Sequence, residues 1–177
     1  GSMIVVNNKI IISGSAGFIG FHLAKKLINM GYEVIGIDSL NDAYDVRLKN
    51  LRITELSNNK NYEFHELNLS DPASIQKLHK LNLQSHSFYH MAARAGVRQS
   101  FMDPYSYVLD NTVATTNVAN FCKLAGIPSL IIASTSSIYG DSGENLMQEN
   151  KDEKLQPPSV YASTKLSGEI LAKTILD

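Results

Sequence analysis

The sequence lacks the features that mark secreted, disulfide-bonded and membrane-spanning proteins. Its 177 residues include one cysteine, Cys122, which cannot form a disulfide within its own chain and lies in an apolar helical stretch where cysteines usually pack. No apolar run approaches the ~18 residues of a membrane span. The apolar run Ile10–Ile12 is followed at once by a glycine-rich turn, which is not the pattern of a signal peptide. These absences predict a cytoplasmic protein.

The sequence also lacks an excess of charge of either sign. Lysine and arginine contribute 16 positive charges, aspartate and glutamate contribute 17 negative charges, and both signs are spread along the chain. Because nucleic acids and anionic membrane surfaces bind basic patches, we expect neither as a partner. We also expect no metal site. Hydrophobic residues make up 44% of the chain, which is enough for a folded core, and the length suits a single domain.

What the chain does have is a regular alternation of short apolar runs and amphipathic stretches. The predicted strands are Lys9–Ser13, Glu33–Ile37, Tyr62–Glu66, Ser87–His90 and Leu130–Ser134. The predicted helices are Gly17–Met30, a segment within Asp42–Leu56, Asp71–Lys80, Pro104–Ala125 and a last helix from Ser159 onward. Alternating strands and helices form parallel βαβ units, and strands that are apolar throughout are covered on both faces. The predicted architecture is therefore a doubly wound α/β sheet.

A glycine-rich turn lies between the first predicted strand and the first predicted helix. It reads Gly14-Ser-Ala-Gly17-Phe18-Ile19-Gly20. Glycines at this position permit a tight turn, close approach to a pyrophosphate and close packing of the helix on the strand. The free N–H groups and the dipole of the helix N-terminus attract phosphates. The turn therefore predicts a Rossmann-type dinucleotide-binding site.

An aspartate at the end of the second strand predicts which dinucleotide is bound. Asp38 follows the glycine turn at the distance where a carboxylate hydrogen-bonds both hydroxyls of the adenosine ribose. The same carboxylate would repel a 2′-phosphate, which favours NAD over NADP. Arg47 leaves the alternative open, because an arginine nearby could accept that phosphate instead.

Two further motifs predict catalytic side chains. Tyr161 and Lys165 are four residues apart and so share one face of the last helix. An ammonium group beside a tyrosine lowers the tyrosine pKa from about 10, which suits it to remove a proton from an alcohol. Thr135 follows the fifth strand, at the sheet edge where ligands of open α/β sheets bind, and its hydroxyl can hydrogen-bond a substrate oxygen. Ser136 and Ser137 are candidate substrate contacts.

Taken together, the motifs resemble those of the extended short-chain dehydrogenase/reductases. The glycine turn, His90-Met-Ala-Ala93, Asn111, Thr135 and the Tyr161/Lys165 pair carry this resemblance. More narrowly, three segments resemble the UDP-glucuronate 4-epimerases, and they are Gly17-Phe-Ile-Gly-Phe-His-Leu-Ala, Asp38-Ser-Leu-Asn-Asp-Ala-Tyr-Asp and Ala95-Gly-Val-Arg-Gln-Ser100. The resemblance extends through nearly all of the chain after Met3.

The resemblance implies a reaction in which a nucleotide sugar is oxidised transiently by tightly held NAD. Tyr161 would take the proton from O4 while the C4 hydride moves to the nicotinamide. Lys165 would lower the pKa of the tyrosine and hold the nicotinamide ribose, and Thr135 would hydrogen-bond O4. The 4-keto sugar would then turn over and receive the hydride on its other face, with no net oxidation.

The resemblance also assigns binding residues. Ala92 and Ala93 would line the cofactor, Asn111 would support the site, and His90 would be structural. The full set of implied cofactor contacts is Gly14, Gly17, Phe18, Ile19, Gly20, Asp38, Asn41, Asn68, Leu69, Met91, Ala92, Ala93, Asn111, Tyr161 and Lys165. The implied substrate contacts are Arg98, Ser100, Ser136 and Ser137. The family usually has aspartate where this chain has Asn68, whose carbonyl can still accept a hydrogen bond from the adenine amino group, so we expect weaker recognition there.

Several alternatives to a UDP-glucuronate 4-epimerase stay open. A 4,6-dehydratase of the same superfamily would have Asp-Glu directly after the threonine, where this chain has Ser136 and Ser137. Other nucleotide-sugar epimerases and a decarboxylase differ in substrate residues that we expect to lie beyond Asp177. A non-catalytic NAD-binding module is the alternative from a different class.

The resemblance finally implies a longer protein. Family members continue into further strands and a C-terminal substrate domain, so residues 3–177 are expected to form an incomplete NAD-binding domain that is inactive alone. The helix Pro104–Ala125 and the helix after Ser159 resemble those of the family's dimer interface, which predicts a homodimer.

Overall fold

The fold is built on a parallel sheet of five strands. The computed structural model describes residues 8–41, 45–133 and 158–177. Its strands are β1 (Lys9–Ser13), β2 (Glu33–Asp38), β3 (Tyr62–Glu66), β4 (Ser87–His90) and β5 (Ser129–Ile132), arranged in the order β3-β2-β1-β4-β5. Every neighbouring pair is parallel, and Ile11 at the centre pairs with Ile35 of β2 and Phe88 of β4. The predicted doubly wound sheet is confirmed. The fifth strand begins at Ser129 rather than Leu130, and Ser134 lies outside the described residues.

Helices connect the strands and cover both faces of the sheet. They are α1 (Phe18–Asn29), α2 (Val46–Ser57), α3 (Pro72–Lys80), α4 (Val97–Met102), α5 (Pro104–Tyr107), α6 (Ala114–Ala125) and α7 (Val160–Leu176), with a π-helical segment at Val108–Val113 between α5 and α6. The single helix predicted for Pro104–Ala125 is thus α5, the π segment and α6 in succession. Asp103 begins this run by accepting hydrogen bonds from the Ser106 backbone N–H and hydroxyl, and Gly126 ends it in the left-handed conformation.

The core consists of two apolar layers, one on each face of the sheet. Side chains alternate between the faces along a strand, so Ile10 and Ile12 pack on the side of α1 while Ile11 packs on the side of α6. Ile11 and Ile12 are fully buried. This packing fixes the carboxyl ends of β1, β2 and β4 side by side. Among the described residues, no helix has both the length and the apolar composition needed to cross a membrane.

Candidate functional site

A cleft of about 640 Å³ opens at the carboxyl ends of β1, β2 and β4. This volume lies within the range of small-molecule binding sites. The predicted cofactor contacts that line the cleft are Gly14, Gly17, Phe18, Ile19, Gly20, Asp38, Asn41, Asn68, Leu69, Met91, Ala92 and Ala93. The predicted contacts Asn111, Tyr161 and Lys165 are not among the residues that line it. The structure therefore brings together residues that sequence analysis drew from four separate segments.

The three glycines of the turn differ in what their missing side chains allow. Gly14 has φ +70, and a Cβ there would lie 2.7 Å from the Ala92 nitrogen. A Cβ at Gly20 would collide with the Gly14 carbonyl oxygen. At Gly17, which begins α1 without a side-chain cap, the nearest atom to a Cβ would be the Gly14 oxygen at 3.3 Å. The fold thus requires Gly14 and Gly20, whereas Gly17 keeps the entrance to the helix N-terminus open, as a bound pyrophosphate requires.

Asp38 lies at the opposite side of the cleft from β4 and accepts several hydrogen bonds. Its Oδ2 accepts from the Ala16 N–H at 3.1 Å, and its Oδ1 accepts from the Leu40 N–H at 2.8 Å and from the Lys49 ammonium at 3.0 Å. Lys49, on α2, also lines the cleft, and sequence analysis missed it. The sequence did hold an indication, because Lys49 lies on the same face of the predicted helix as the apolar Leu56. In the structure these two are the buried residues of α2. Arg47, the cation that sequence analysis considered, is 92% exposed and pairs with Asp45 at 3.6 Å.

Asn68, the predicted adenine contact, also forms its own turn. Its side-chain oxygen accepts hydrogen bonds from the Ser70 N–H at 3.1 Å and the Ser70 hydroxyl at 2.8 Å. Its backbone N–H donates to the Ser74 hydroxyl at 3.1 Å. Asn68 therefore lines the cleft with a carbonyl group that already has partners in the chain.

The other side of the cleft is held by a buried histidine. His90 Nδ1 lies 2.6 Å from the Ser13 hydroxyl, and Nε2 lies 3.1 Å from the Thr115 hydroxyl. The Ser13 oxygen also accepts from the Ala92 N–H at 3.3 Å. Burial, with a smaller contribution from the Lys165 charge, lowers the His90 pKa to about 3. His90 is thus a neutral side chain that ties β1, β4 and α6 together, as the resemblance implied.

Tyr161 and Lys165 lie on the first turns of α7, and both are buried. The Ser159 hydroxyl begins this helix by accepting from the Ala162 N–H at 2.9 Å. Close packing against the π segment depends on Gly168, where a Cβ would lie 2.5 Å from the Asn111 carbonyl oxygen. Burial lowers the Lys165 pKa, and the nearby Glu169 partly opposes this shift. The pair thus has the predicted spacing on a helix that is held firmly against the sheet's flanking layer.

Asn111 fastens α7 to the segment after β4. Its side-chain oxygen accepts from the Arg94 N–H at 2.8 Å, and its amide group donates to the Arg94 carbonyl at 3.0 Å and to the Thr164 hydroxyl at 3.2 Å. Thr112 adds a hydrogen bond to the Thr164 carbonyl at 2.8 Å. Asn111 is therefore a support for the cleft wall rather than part of its surface.

Sequence analysis missed a group of side chains in the same wall. Arg94 Nε donates to Asp110 at 2.8 Å, and both residues line the cleft. The Arg94 guanidinium lies 5.8 Å from the centre of the Tyr107 ring, whose hydroxyl donates to the Ala95 carbonyl at 2.7 Å. Arg94 stands between the motif that ends at Ala93 and the motif that begins at Ala95. Its partners come from the distant helical run, so only the folded structure identifies them.

The predicted substrate residues have different positions. Arg98 is exposed on α4 and lies outside the cleft lining, which includes its neighbour Gln99. Ser100 is fully buried, and its hydroxyl donates to the Val97 carbonyl at 2.6 Å, so in this structure it faces its own helix instead of a ligand. Thr135, Ser136 and Ser137 lie outside the described residues.

Comparisons with known proteins agree with this site. Residues 10–176 match the NAD dependent epimerase/dehydratase family. The chain is 37% identical to a UDP-glucuronate 4-epimerase of Thermodesulfobacterium geofontis over 93% of its length and 50% of the relative's. It is 40% identical to protein CapI of Staphylococcus aureus over 94% of its length and 49% of that protein's. The chain thus spans about half the length of the curated relatives it matches.

Solved structures of an epimerase also match the fold of this chain. The fold matches a UDP-glucuronic acid 4-epimerase mutant from Bacillus cereus in complex with UDP-4-deoxy-4-fluoro-glucuronic acid and NAD, with a TM-score of 0.77 and 34% identity. That match covers 94% of this chain and 52% of the Bacillus chain. The same enzyme in complex with UDP-glucuronic acid and NAD matches with a TM-score of 0.76. With the glycine turn, the acidic strand end and the Tyr161/Lys165 pair in place, the chain belongs to the NAD-dependent epimerase/dehydratase family, whose cofactor is NAD.

Proposed function

We propose that this chain binds NAD in the cleft and contributes the catalytic residues of a UDP-sugar 4-epimerase that acts on UDP-glucuronate. The observation that supports this most directly is the buried Tyr161/Lys165 pair on a helix fastened to the cleft wall. The relatives and structures described as UDP-glucuronate 4-epimerases support the choice of sugar. The proposal includes the predicted domain organisation. Residues 3–177 bind the dinucleotide, and a further segment binds the sugar nucleotide.

In this proposal the residues of the chain hold the reactants and move one proton. NAD, when bound, supplies the transient removal of a hydride from C4 of the sugar and its return to the opposite face. The backbone N–H groups at the start of α1, opened by Gly17, hold the pyrophosphate, and Asp38 meets the adenosine ribose. Tyr161 takes the proton from O4 and returns it. Lys165, one helical turn away on the same face of α7, holds the nicotinamide ribose. Thr135 hydrogen-bonds O4.

The test is interconversion of UDP-glucuronate and UDP-galacturonate, followed by chromatography or NMR. It is applied to this chain and to the longest product of its reading frame, with and without added NAD. We expect the longer product to epimerise its substrate and this chain alone to be inactive. In the longer product, Tyr161→Phe should reduce turnover at least about 10²-fold, the usual contribution of an acid–base group. Tyr105→Phe is the matched control, because Tyr105 is 71% exposed and also loses only a hydroxyl.

The same assay separates the alternatives. A decarboxylase would release carbon dioxide from UDP-glucuronate and form a UDP-pentose. A dehydratase would release water only when a nucleotide hexose is added in place of the uronate. Equal rates for wild type and Tyr161→Phe would contradict the proposed role of the tyrosine. NAD binding without any of these reactions in the longer product would favour the non-catalytic module. The homodimer and the cytoplasmic location stay predictions from the sequence.

A further inference from the structure

Two buried hydroxyl groups meet next to the glycine turn, outside the lining of the cleft. The Tyr62 hydroxyl donates a hydrogen bond to the Ser15 hydroxyl at 3.1 Å. Ser15 belongs to the turn after β1, and Tyr62 is the first residue of β3. Both residues are buried, and neither is among those that line the cleft. Because β2 lies between β1 and β3, the tyrosine side chain crosses β2 to reach the turn.

Gly36 of β2 provides the space for this contact. A Cβ there would collide with the Tyr62 hydroxyl and would lie 2.6 Å from the Ser15 hydroxyl oxygen. Gly36 is inside the sheet, where it pairs with Ile12 on one side and Phe64 on the other. Glycine weakens the interior of a strand and often marks a place where another group approaches the backbone closely. The missing side chain of Gly36 therefore admits the tyrosine hydroxyl.

The hydrogen bonds around Ser15 hold both its side chain and its backbone. Burial raises the pKa of Tyr62 to about 12, so its hydroxyl keeps its proton at neutral pH and acts as the donor. The Ser15 hydroxyl donates in turn to the Ile37 carbonyl at 3.5 Å, which also accepts from the Ser15 N–H at 3.2 Å. Ser15 is thus held to β2 through its backbone and to β3 through its side chain.

Ser15 lies within the segment that forms the entrance to α1. Gly14 precedes it at φ +70, and the following N–H, that of Ala16, donates to Asp38 at 3.1 Å. The Gly17 N–H donates to the Gly14 carbonyl at 3.0 Å. A loop that is held in its binding conformation loses less freedom when a ligand arrives, which strengthens binding. We propose that Tyr62 is a positioning residue for NAD, which acts through Ser15 to hold the glycine turn in the conformation that receives the pyrophosphate.

The experiment is calorimetric titration of NAD into wild type, Tyr62→Phe, Ser15→Ala and the double variant, at a temperature where thermal melting shows each to be folded. The inference rests on NAD binding in this cleft, which is part of the proposed function. Each single variant loses the same hydrogen bond, so we expect each to raise the NAD Kd about three- to tenfold, as for one neutral hydrogen bond. The double variant should bind NAD no more weakly than the weaker single variant, because both changes remove one interaction.

Tyr32→Phe is the matched control for Tyr62→Phe. Tyr32 packs against the same apolar layer as Tyr62, but it directly precedes β2, at the opposite end of that strand from the cleft. It also loses only a hydroxyl, so its NAD Kd should stay within about twofold of wild type. A purely structural role of Tyr62 would lower the melting temperature without changing the NAD Kd of the folded chain.

The outcomes separate this inference from the proposed function. A wild-type NAD Kd in Tyr62→Phe would overturn the inference and leave the cofactor role intact. Additive losses in the double variant would also overturn it, because Tyr62 would then act independently of Ser15. A wild-type chain that does not bind NAD would overturn both the inference and the proposed function. If Tyr62→Phe does not fold, Ser15→Ala removes the same hydrogen bond, and unchanged NAD binding in that variant would overturn the inference.

Discussion

The ring of Tyr107 meets the ring of Tyr161 edge-to-face, with centroids 6.4 Å apart and planes inclined by 80°. Tyr107 lines the cleft and is itself held by its hydrogen bond to the Ala95 carbonyl at 2.7 Å. The contact therefore joins the segment after β4, where the cofactor is proposed to bind, to the helix that carries the proposed catalytic tyrosine.

Tyr107→Phe tests the hydrogen bond that holds this contact. The phenyl ring keeps the packing, but the Ala95 carbonyl loses its donor, so we expect the free energy of unfolding to fall by about 1 kcal/mol. Urea denaturation measures the change. Tyr105→Phe should have almost no effect, because Tyr105 is 71% exposed. Equal stability of Tyr107→Phe and wild type would mean that the hydroxyl contributes little to the cleft wall.

Gly17→Ala and Gly20→Ala test the distinct roles of two glycines in one turn. The Gly17 Cβ would come no closer than 3.3 Å to another part of the chain, whereas the Gly20 Cβ would collide with the Gly14 carbonyl. We expect Gly17→Ala to fold with a smaller drop in melting temperature than Gly20→Ala, and to lose NAD affinity by tenfold or more. Normal NAD affinity in Gly17→Ala would contradict the proposed pyrophosphate position.

The parts of the site that follow directly from local sequence were predictable. Gly14, Asp38 and Ala92 each stand at or just after the end of a strand, and parallel strands bring such residues to one sheet edge. The bounds of the central strands were also predictable, because short apolar runs bounded by turn residues are typical of buried strands. Asp38 was assigned from its position alone, and the structure places it in the cleft.

The missed parts depend on contacts between distant segments. Lys49 meets Asp38, and Arg94 meets Asp110, only after the helices pack on the sheet. Ser100 lies in a motif that resembles substrate-binding segments, yet a short helix turns its hydroxyl to Val97. The π segment at Val108–Val113 was hidden within an apolar helical pattern, because a local widening of a helix leaves no clear mark on the periodicity.

Asn111→Ala tests the support between the cleft wall and α7. Both backbone groups of Arg94 would lose their side-chain partner, and the Thr164 hydroxyl would lose a donor. We expect a loss of about 2–4 kcal/mol in the free energy of unfolding. Asn117→Ala is the control on the same helical run, because Asn117 donates one hydrogen bond, to the Leu69 carbonyl at 2.9 Å. A loss no larger than that of Asn117→Ala would contradict the role of Asn111 as the main fastening.

His90 predicts how stability depends on pH. Its pKa in the folded chain is lowered to about 3, while an unfolded histidine has a pKa near 6.5, so the unfolded state binds one more proton between these values. Stability at this residue is fully present above pH 6.5 and is lost as the pH falls toward 3, at up to about 1.4 kcal/mol per pH unit. The charge of Lys165 also opposes protonation of His90.

The measurement is urea denaturation of wild type and His90→Gln at pH 7.5, 6.5, 5.5 and 5.0, the range above most carboxyl titrations. Glutamine can still hydrogen-bond Ser13 and Thr115 but has no proton to gain, so we expect its stability to vary less with pH than that of wild type. The other histidines are common to both proteins, and their contributions cancel in the difference. Parallel curves would mean that His90 is protonated as readily in the folded chain as in the unfolded one, which would contradict its burial between β1, β4 and α6.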